Sequence, residues 1–275
     1  MTIQEKAALI AEFKPVTIQD DLMFGTVMED PKYCKPFLET ILGVKIREVK
    51  LPVTQRTVKA KLKAKSIRLD VYVEDDQNTV YDVEMQTGKK RNLPKRTRYY
   101  QSMMDIDILG KGEDYIKLKK SLIIFICCFD PFGHDEYIYR FQRQAELSDG
   151  RIIGLGDESS VIFVNADGHK GNVSGEFKTL MDYIMNGQAY DSFTEDLDRK
   201  VESLNNDDDW KVEHMTLQIK LADERFEGRI EGNISTLYEL YKDGLLPLDN
   251  VLAKANMSEA DFMEKAKKIE KEQVY

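Results

Sequence analysis

At 275 residues and 42% hydrophobic content, the chain can bury a full core and fits one large domain or one domain with a helical appendage. Three cysteines (Cys34, Cys127, Cys128) and three scattered histidines (His134, His169, His214) argue against a disulfide framework, a cysteine-bound zinc and a histidine-centred metal site or triad. No stretch has the pattern of a secretion signal, and the longest apolar run, LIIFICCF at 122–129, is too short to span a bilayer, so the expectation is a cytoplasmic protein with no membrane partner.

From Ile18 to Leu42 the apolar residues fall at helical spacings, with Pro31 as a break and Gly43 as a stop, which predicts two short helices. The segment VKIREVKLPVTQRTVKAKLKAK, 44–65, predicts a strand with a long basic loop. Although the net charge is -9, residues 45–100 carry 15 Lys/Arg against 7 Asp/Glu, so positive charge gathers in this part of an otherwise acidic chain. Such a concentration suits a phosphate-bearing partner, and it equally suits solvated strand and helix faces.

IRLDVYV (67–73) and TVYDVEM (79–85) are β-branched and aromatic runs joined by the polar EDDQN, the pattern of an antiparallel hairpin. With the turn centred near Asp76–Gln77, residue 70 falls opposite 83–84. Asp82, Glu84 and Gln86 share one face of the second strand. Leu93 to Leu109 predicts a helix beginning near Pro94. LIIFICCF predicts a buried strand, and EYIYRF (136–141) and SVIFVNA (160–166) predict further strands. The pattern of helix, hairpin, helix and strands is a mixed α/β core, expected to span 1–170.

The remainder, 171–275, reads as a helical C-terminal region. NNDDDW (205–210) marks a turn or helix start before a long segment ending near Asp243. Within that segment FEGRIEG sets Gly228 and Gly232 on one helical face, which fits either close packing between subunits or a kinked helix. The tail 246–268 predicts two short amphipathic helices, read either as a packing pair or as a small helix-turn-helix.

Asp70 and Glu84 are embedded in apolar runs, where an unpaired carboxylate is costly, and basic segments flank both strands. Two facing carboxylates suit a hard divalent cation such as Mg²⁺, although surface hairpins also carry such pairs. DDLMFGTVMEDPKYCKPFLETILG (20–43), IRLDVYV, VYDVEMQ (80–86), LPKRTRYYQSMMDIDIL (93–109), GEDYIKLKKSLIIFICCFDPFG (112–133) and FEGRIEG together resemble the recombination-promoting nuclease/transposase (Rpn) family, a branch of the PD-(D/E)XK nucleases.

The resemblance covers most of the chain and implies a restriction-endonuclease-like mixed sheet flanked by helices. It also implies a metal-dependent endonuclease acting on DNA, with Mg²⁺ or another divalent cation, in recombination, mobile-element biology or defence. Carried over, it makes Asp70 and Glu84 metal ligands together with the Met85 carbonyl. Glu39, in FLETILG, is either a further acid near the metal or an exposed helix acid. Arg96, Arg98 and Tyr100 match the family's Arg/Tyr-rich helix and would contact the scissile phosphate or brace the carboxylates. The departure is Gln86, which stands where the wider nuclease pattern has lysine. An amide has no proton to exchange near neutrality, so Gln86 can orient a water or ligate but cannot be a base. Lys89 and Lys90 are candidates for the missing positive charge, or decorate a solvated turn. The alternative function is a catalytically weak DNA-binding or assembly protein on a nuclease scaffold, and a homodimer fits either function.

Overall fold

The computed structural model describes residues 2–50, 53–58, 67–89 and 92–273. The basic residues 59–66 and Lys90 lie outside the described residues. The chain forms two compact units, Lys14–Asp208 and Met1–Phe13 with Asp209–Tyr275.

In the first unit, α2 (Asp21–Met28) and α3 (Pro31–Leu42) follow α1 (Ile3–Glu12), which belongs to the second. Asp20 opens α2 by accepting from the backbone N–H groups of Leu22 and Met23, and Asp30 with Pro31 opens α3. Gly43 closes α3 at φ 68°, a left-handed conformation that only glycine adopts without strain. Next come β1 (Val53–Val58), β2 (Ile67–Glu74), β3 (Val80–Gln86) and α4 (Leu93–Ile108). They are followed by a turn of 3-10 helix at Tyr115–Lys117, then β4 (Ser121–Cys127), β5 (Ile138–Phe141), β6 (Gln144–Glu146), β7 (Ile152–Gly154) and β8 (Ser159–Asn165). The unit ends with α5 (Gly175–Asn186) and α6 (Ser192–Asn206).

Six strands form one mixed sheet in the order β1-β2-β3-β4-β8-β5, and β6 and β7 form a separate ribbon. β3, β4 and β8 run parallel, β1 and β2 form an antiparallel meander onto β3, and β5 lies antiparallel on the β8 edge. The three central strands are rich in Val, Ile and Phe because both faces are covered. On one face Tyr72, Val80, Ile123, Phe125, Cys127 and Phe163 pack with Leu93, Tyr100, Met103 and Met104 of α4. The alternate residues, including Val71, Val73, Val83 and Ile124, are buried on the opposite face. α2 packs on β1 and β2, with α3 and α6 against it and α5 against both of those. This is the restriction-endonuclease-like mixed sheet flanked by helices that the sequence implied. The helical spacing from Ile18 onward does not extend to α1, a ten-residue helix opened by a Thr2–Glu5 capping box.

In the second unit, α7 (Asp208–Lys242) is one continuous 35-residue helix, followed by α8 (Leu248–Ala255) and α9 (Glu259–Gln273). At its start Trp210 and His214 pack on Phe13, and at its end Ile234 and Leu237 pack on Val251, Phe262 and Ala266. An added side chain at Gly228 or Gly232 would meet no described atom of the same chain within 4 Å. Among the described residues no helix is long and apolar enough to cross a membrane.

Candidate active site

The site begins with the turn between β2 and β3. Asp75, 4% exposed, accepts hydrogen bonds from the Gln77 and Thr79 N–H groups, both at 2.8 Å, and from the Tyr81 hydroxyl at 2.6 Å. An aspartate that bonds its own backbone two residues on fixes a turn, and here Asn78 takes the left-handed step at φ 58°. The turn sets the register Tyr72↔Asp82 and Val71↔Val83, which continues to residue 70 opposite residue 84.

Asp70 and Glu84 consequently hold each other's strand. The Asp70 N–H donates to Glu84 Oε1 at 3.1 Å, and the Met85 N–H donates to Asp70 Oδ2 at 3.2 Å. Asp82, Glu84 and Gln86 face α4, all nearly inaccessible to solvent. From α4, Arg96 reaches the strand with two groups and holds its own helix with a third. Nη2 donates to Glu84 Oε2 at 2.5 Å, Nη1 to Gln86 Oε1 at 3.1 Å, and Nε to the Tyr100 hydroxyl at 2.8 Å. The guanidinium lies 4.8 Å from the Tyr100 ring centre and 5.3 Å from that of Phe125, within cation–π range. The other end of the Gln86 amide donates to the Gly88 carbonyl at 2.9 Å.

Burial pushes the Glu84 carboxyl well above its usual range, and the neighbouring Asp82 and Asp70 charges push it further, against the pull of Arg96. Asp82 is raised in the same way, first by burial and then by Asp70. Among the described residues the Glu84 carboxyl is the one hydrogen-bond neighbour of the Asp82 oxygens. For Arg96, burial opposes the charge, but Glu84 and Tyr100 outweigh it and hold the guanidinium protonated. Tyr100 is raised by burial and then by Glu84, which keeps it a hydroxyl. The cluster thus sets the Asp70, Asp82 and Glu84 carboxyl groups beside the Arg96 guanidinium, in a setting where unpaired charge is expensive.

Asp70, Glu84, Met85, Gln86, Arg96 and Tyr100 therefore lie together. Glu39 is engaged elsewhere: it accepts from the Ile46 N–H at 2.8 Å and pairs with Lys35 at 3.1 Å and Lys45 at 3.5 Å. Burial raises its carboxyl, yet these partners together hold it below the usual carboxylate range. It lines a cleft of about 490 Å³ between the end of α3 and the starts of α5 and α6. Arg98 is exposed and lines a different cleft with Gln101 and Arg143. Lys89 is exposed at a cleft of about 410 Å³ with Asn92, Pro94, Asp130 and Phe132, where α4 begins. Among the described residues no group of three or more His, Cys, Asp or Glu side chains is disposed to hold a metal ion.

The sequence reading gave Asp82 no role, although its alternation with Glu84 was visible. It had no means of finding Phe125, which reaches the site only through the parallel pairing Glu84↔Phe125. Nor did it foresee that Arg96 would bind Gln86. The positive charge that lysine would carry on the strand is supplied to that position by the helix.

Residues 21–165 match the model of the PD-(D/E)XK nuclease family transposase. No curated protein and no solved structure gives a match.

Proposed function

Because the chain belongs to the PD-(D/E)XK nuclease family transposases, we propose that it is a metal-dependent endonuclease hydrolysing DNA phosphodiester bonds, in recombination, mobile-element biology or defence. The observation that carries this reading is the pair Asp70 and Glu84, tied to each other's strand and overlaid by Arg96.

A divalent cation such as Mg²⁺ fits the chemistry of this place. Asp70, Asp82 and Glu84 gather hard oxygen donors, and among the described residues Asp82 is buried with the Glu84 carboxyl as its one hydrogen-bond neighbour. Asp70, Glu84 and the Met85 carbonyl would hold the ion, with Glu39 kept outside by its lysines. Bound there, it would polarise a phosphate and make water a stronger nucleophile. Arg96 neutralises Glu84 and offers positive charge to a phosphate beside it, with Tyr100 and Phe125 fixing its plane. Gln86 orients Arg96 through its carbonyl oxygen and does not act as a base. Lys89 and Arg98, which line clefts apart from Asp70 and Glu84, are proposed as contacts to the DNA backbone away from the reacting phosphate.

The purified chain should nick supercoiled plasmid with Mg²⁺ or Mn²⁺, stop on chelation, and lose the activity in Asp70→Ala and Glu84→Ala. The second reading, a catalytically weak DNA-binding protein, is favoured by the Gln86 amide being engaged at both ends. It predicts intact plasmid with every metal, together with salt-dependent DNA binding that is indifferent to Asp70→Ala. Intact plasmid at high protein concentration rejects the nuclease.

A further inference from the structure

Between its two packed ends, α7 crosses a stretch from Thr216 to Asn233 in which no residue is buried. An ordinary helix so placed would be polar all round. This one carries an apolar stripe: Met215, Ile219, Ala222, Phe226 and Ile230 recur at steps of three or four, with Asn233 in the same line. Ile219, Phe226 and Ile230 are 49%, 56% and 37% exposed. With each residue turning about 100° around the axis, the glycines at 228 and 232 fall on the opposite side, so it is not a small-residue seam.

The charges beside the stripe are sorted. Asp223 and Glu227 border it on one side, while Arg225 and Arg229 border it on the other. The Arg229 guanidinium already lies 5.7 Å from the Phe226 ring centre, over one edge of the stripe. When two identical helices pair in parallel, the left flank of each meets the right flank of the other, so acid faces base on both sides. When they pair antiparallel, like flanks meet, and both sides repel. A single polar Asn within such a seam fixes register and favours a two-stranded pair.

We infer that the exposed stripe of α7 is a self-association surface, and that its occupant is α7 of a second copy of this chain, in parallel and in register. This inference does not depend on the nuclease reading, since none of these residues lies in the candidate active site.

The test uses the full chain in sedimentation velocity at micromolar concentrations. The dimer should dissociate in Phe226→Glu combined with Ile219→Glu. Arg225→Glu/Arg229→Glu and Asp223→Lys/Glu227→Lys alter only exposed positions. Each should weaken self-association about tenfold or more, and mixing the two should restore a dimer with one chain of each kind. Under mild oxidation, the Ala222→Cys variant should cross-link to a second copy of itself. A wild-type chain that sediments as a monomer overturns the surface, and so does a dimer unaffected by the glutamates. If the Ala222→Cys variant alone does not cross-link, while a mixture of Ala222→Cys and Ile230→Cys chains does, the parallel arrangement is overturned.

Discussion

Asp130 shows how a single carboxylate organises a loop next to the candidate site. It accepts from the backbone N–H groups of Phe132 at 3.0 Å, Gly133 at 2.8 Å and Asp135 at 2.7 Å, and from the Tyr139 hydroxyl at 2.8 Å. Burial works to raise its carboxyl, but these four donors prevail and hold it far below the ordinary range. A folded-state pKa below the unfolded one means the stabilisation is present above the unfolded value, near pH 4, and is lost as the pH falls through the folded value. Asp130→Asn should therefore cost about 2 kcal/mol at neutral pH, and the gap from wild type should narrow steadily below about pH 4. Urea denaturation across that range checks it, and a gap that does not change with pH counts against the loop geometry. The same cluster borders Lys89 and the start of α4, so slackness here should reach the first turn of the helix that carries Arg96.

Among the elements, the β2–β3 hairpin was the most legible from sequence. Alternation of Asp70, Tyr72 and of Asp82, Glu84, Gln86, with a polar turn between, is a period-two pattern that fixes both faces and register at once. What held the turn was hidden, because the Tyr81 hydroxyl reaches Asp75 only after the strand has formed. Asp75→Ala removes three hydrogen bonds, among them that of the buried Tyr81 hydroxyl. It should cost about 3 kcal/mol in chemical denaturation and impair plasmid nicking by loosening the register of Asp70 against Glu84. A loss under about 1 kcal/mol would mean the strands hold their register without it. Helix α4 was also legible as a helix, but not as the source of the site's cation. The ribbon of β6 and β7 escaped notice because its strands are three residues each and exposed throughout, with no buried face to impose a pattern. In α7 the glycines at 228 and 232 lie on the side of the helix opposite the apolar stripe.

At the scale of the whole molecule, Lys14–Asp208 contains every described residue of the candidate site. A fragment of those residues should unfold in one cooperative transition and keep metal-dependent nicking, checked by calorimetry and the plasmid assay. A fragment that folds but does not nick would tie catalysis to the remainder, as would be the case if pairing of two copies were needed. The division was not legible in the sequence, since α1 and α7 are far apart along the chain and the aromatic group Phe13, Trp210 and His214 unites them only in space. The reach of Arg96 to Gln86 also bears on how such proteins are found. A search written in letters, asking for an acid, any residue and then lysine, passes over Glu84-Met85-Gln86 of this chain and stops instead at Glu12-Phe13-Lys14 or Glu48-Val49-Lys50. A template written in coordinates, asking for two carboxylates on neighbouring strands and a guanidinium above the third position whatever its origin, detects it and admits other chains whose cation has moved to a different element.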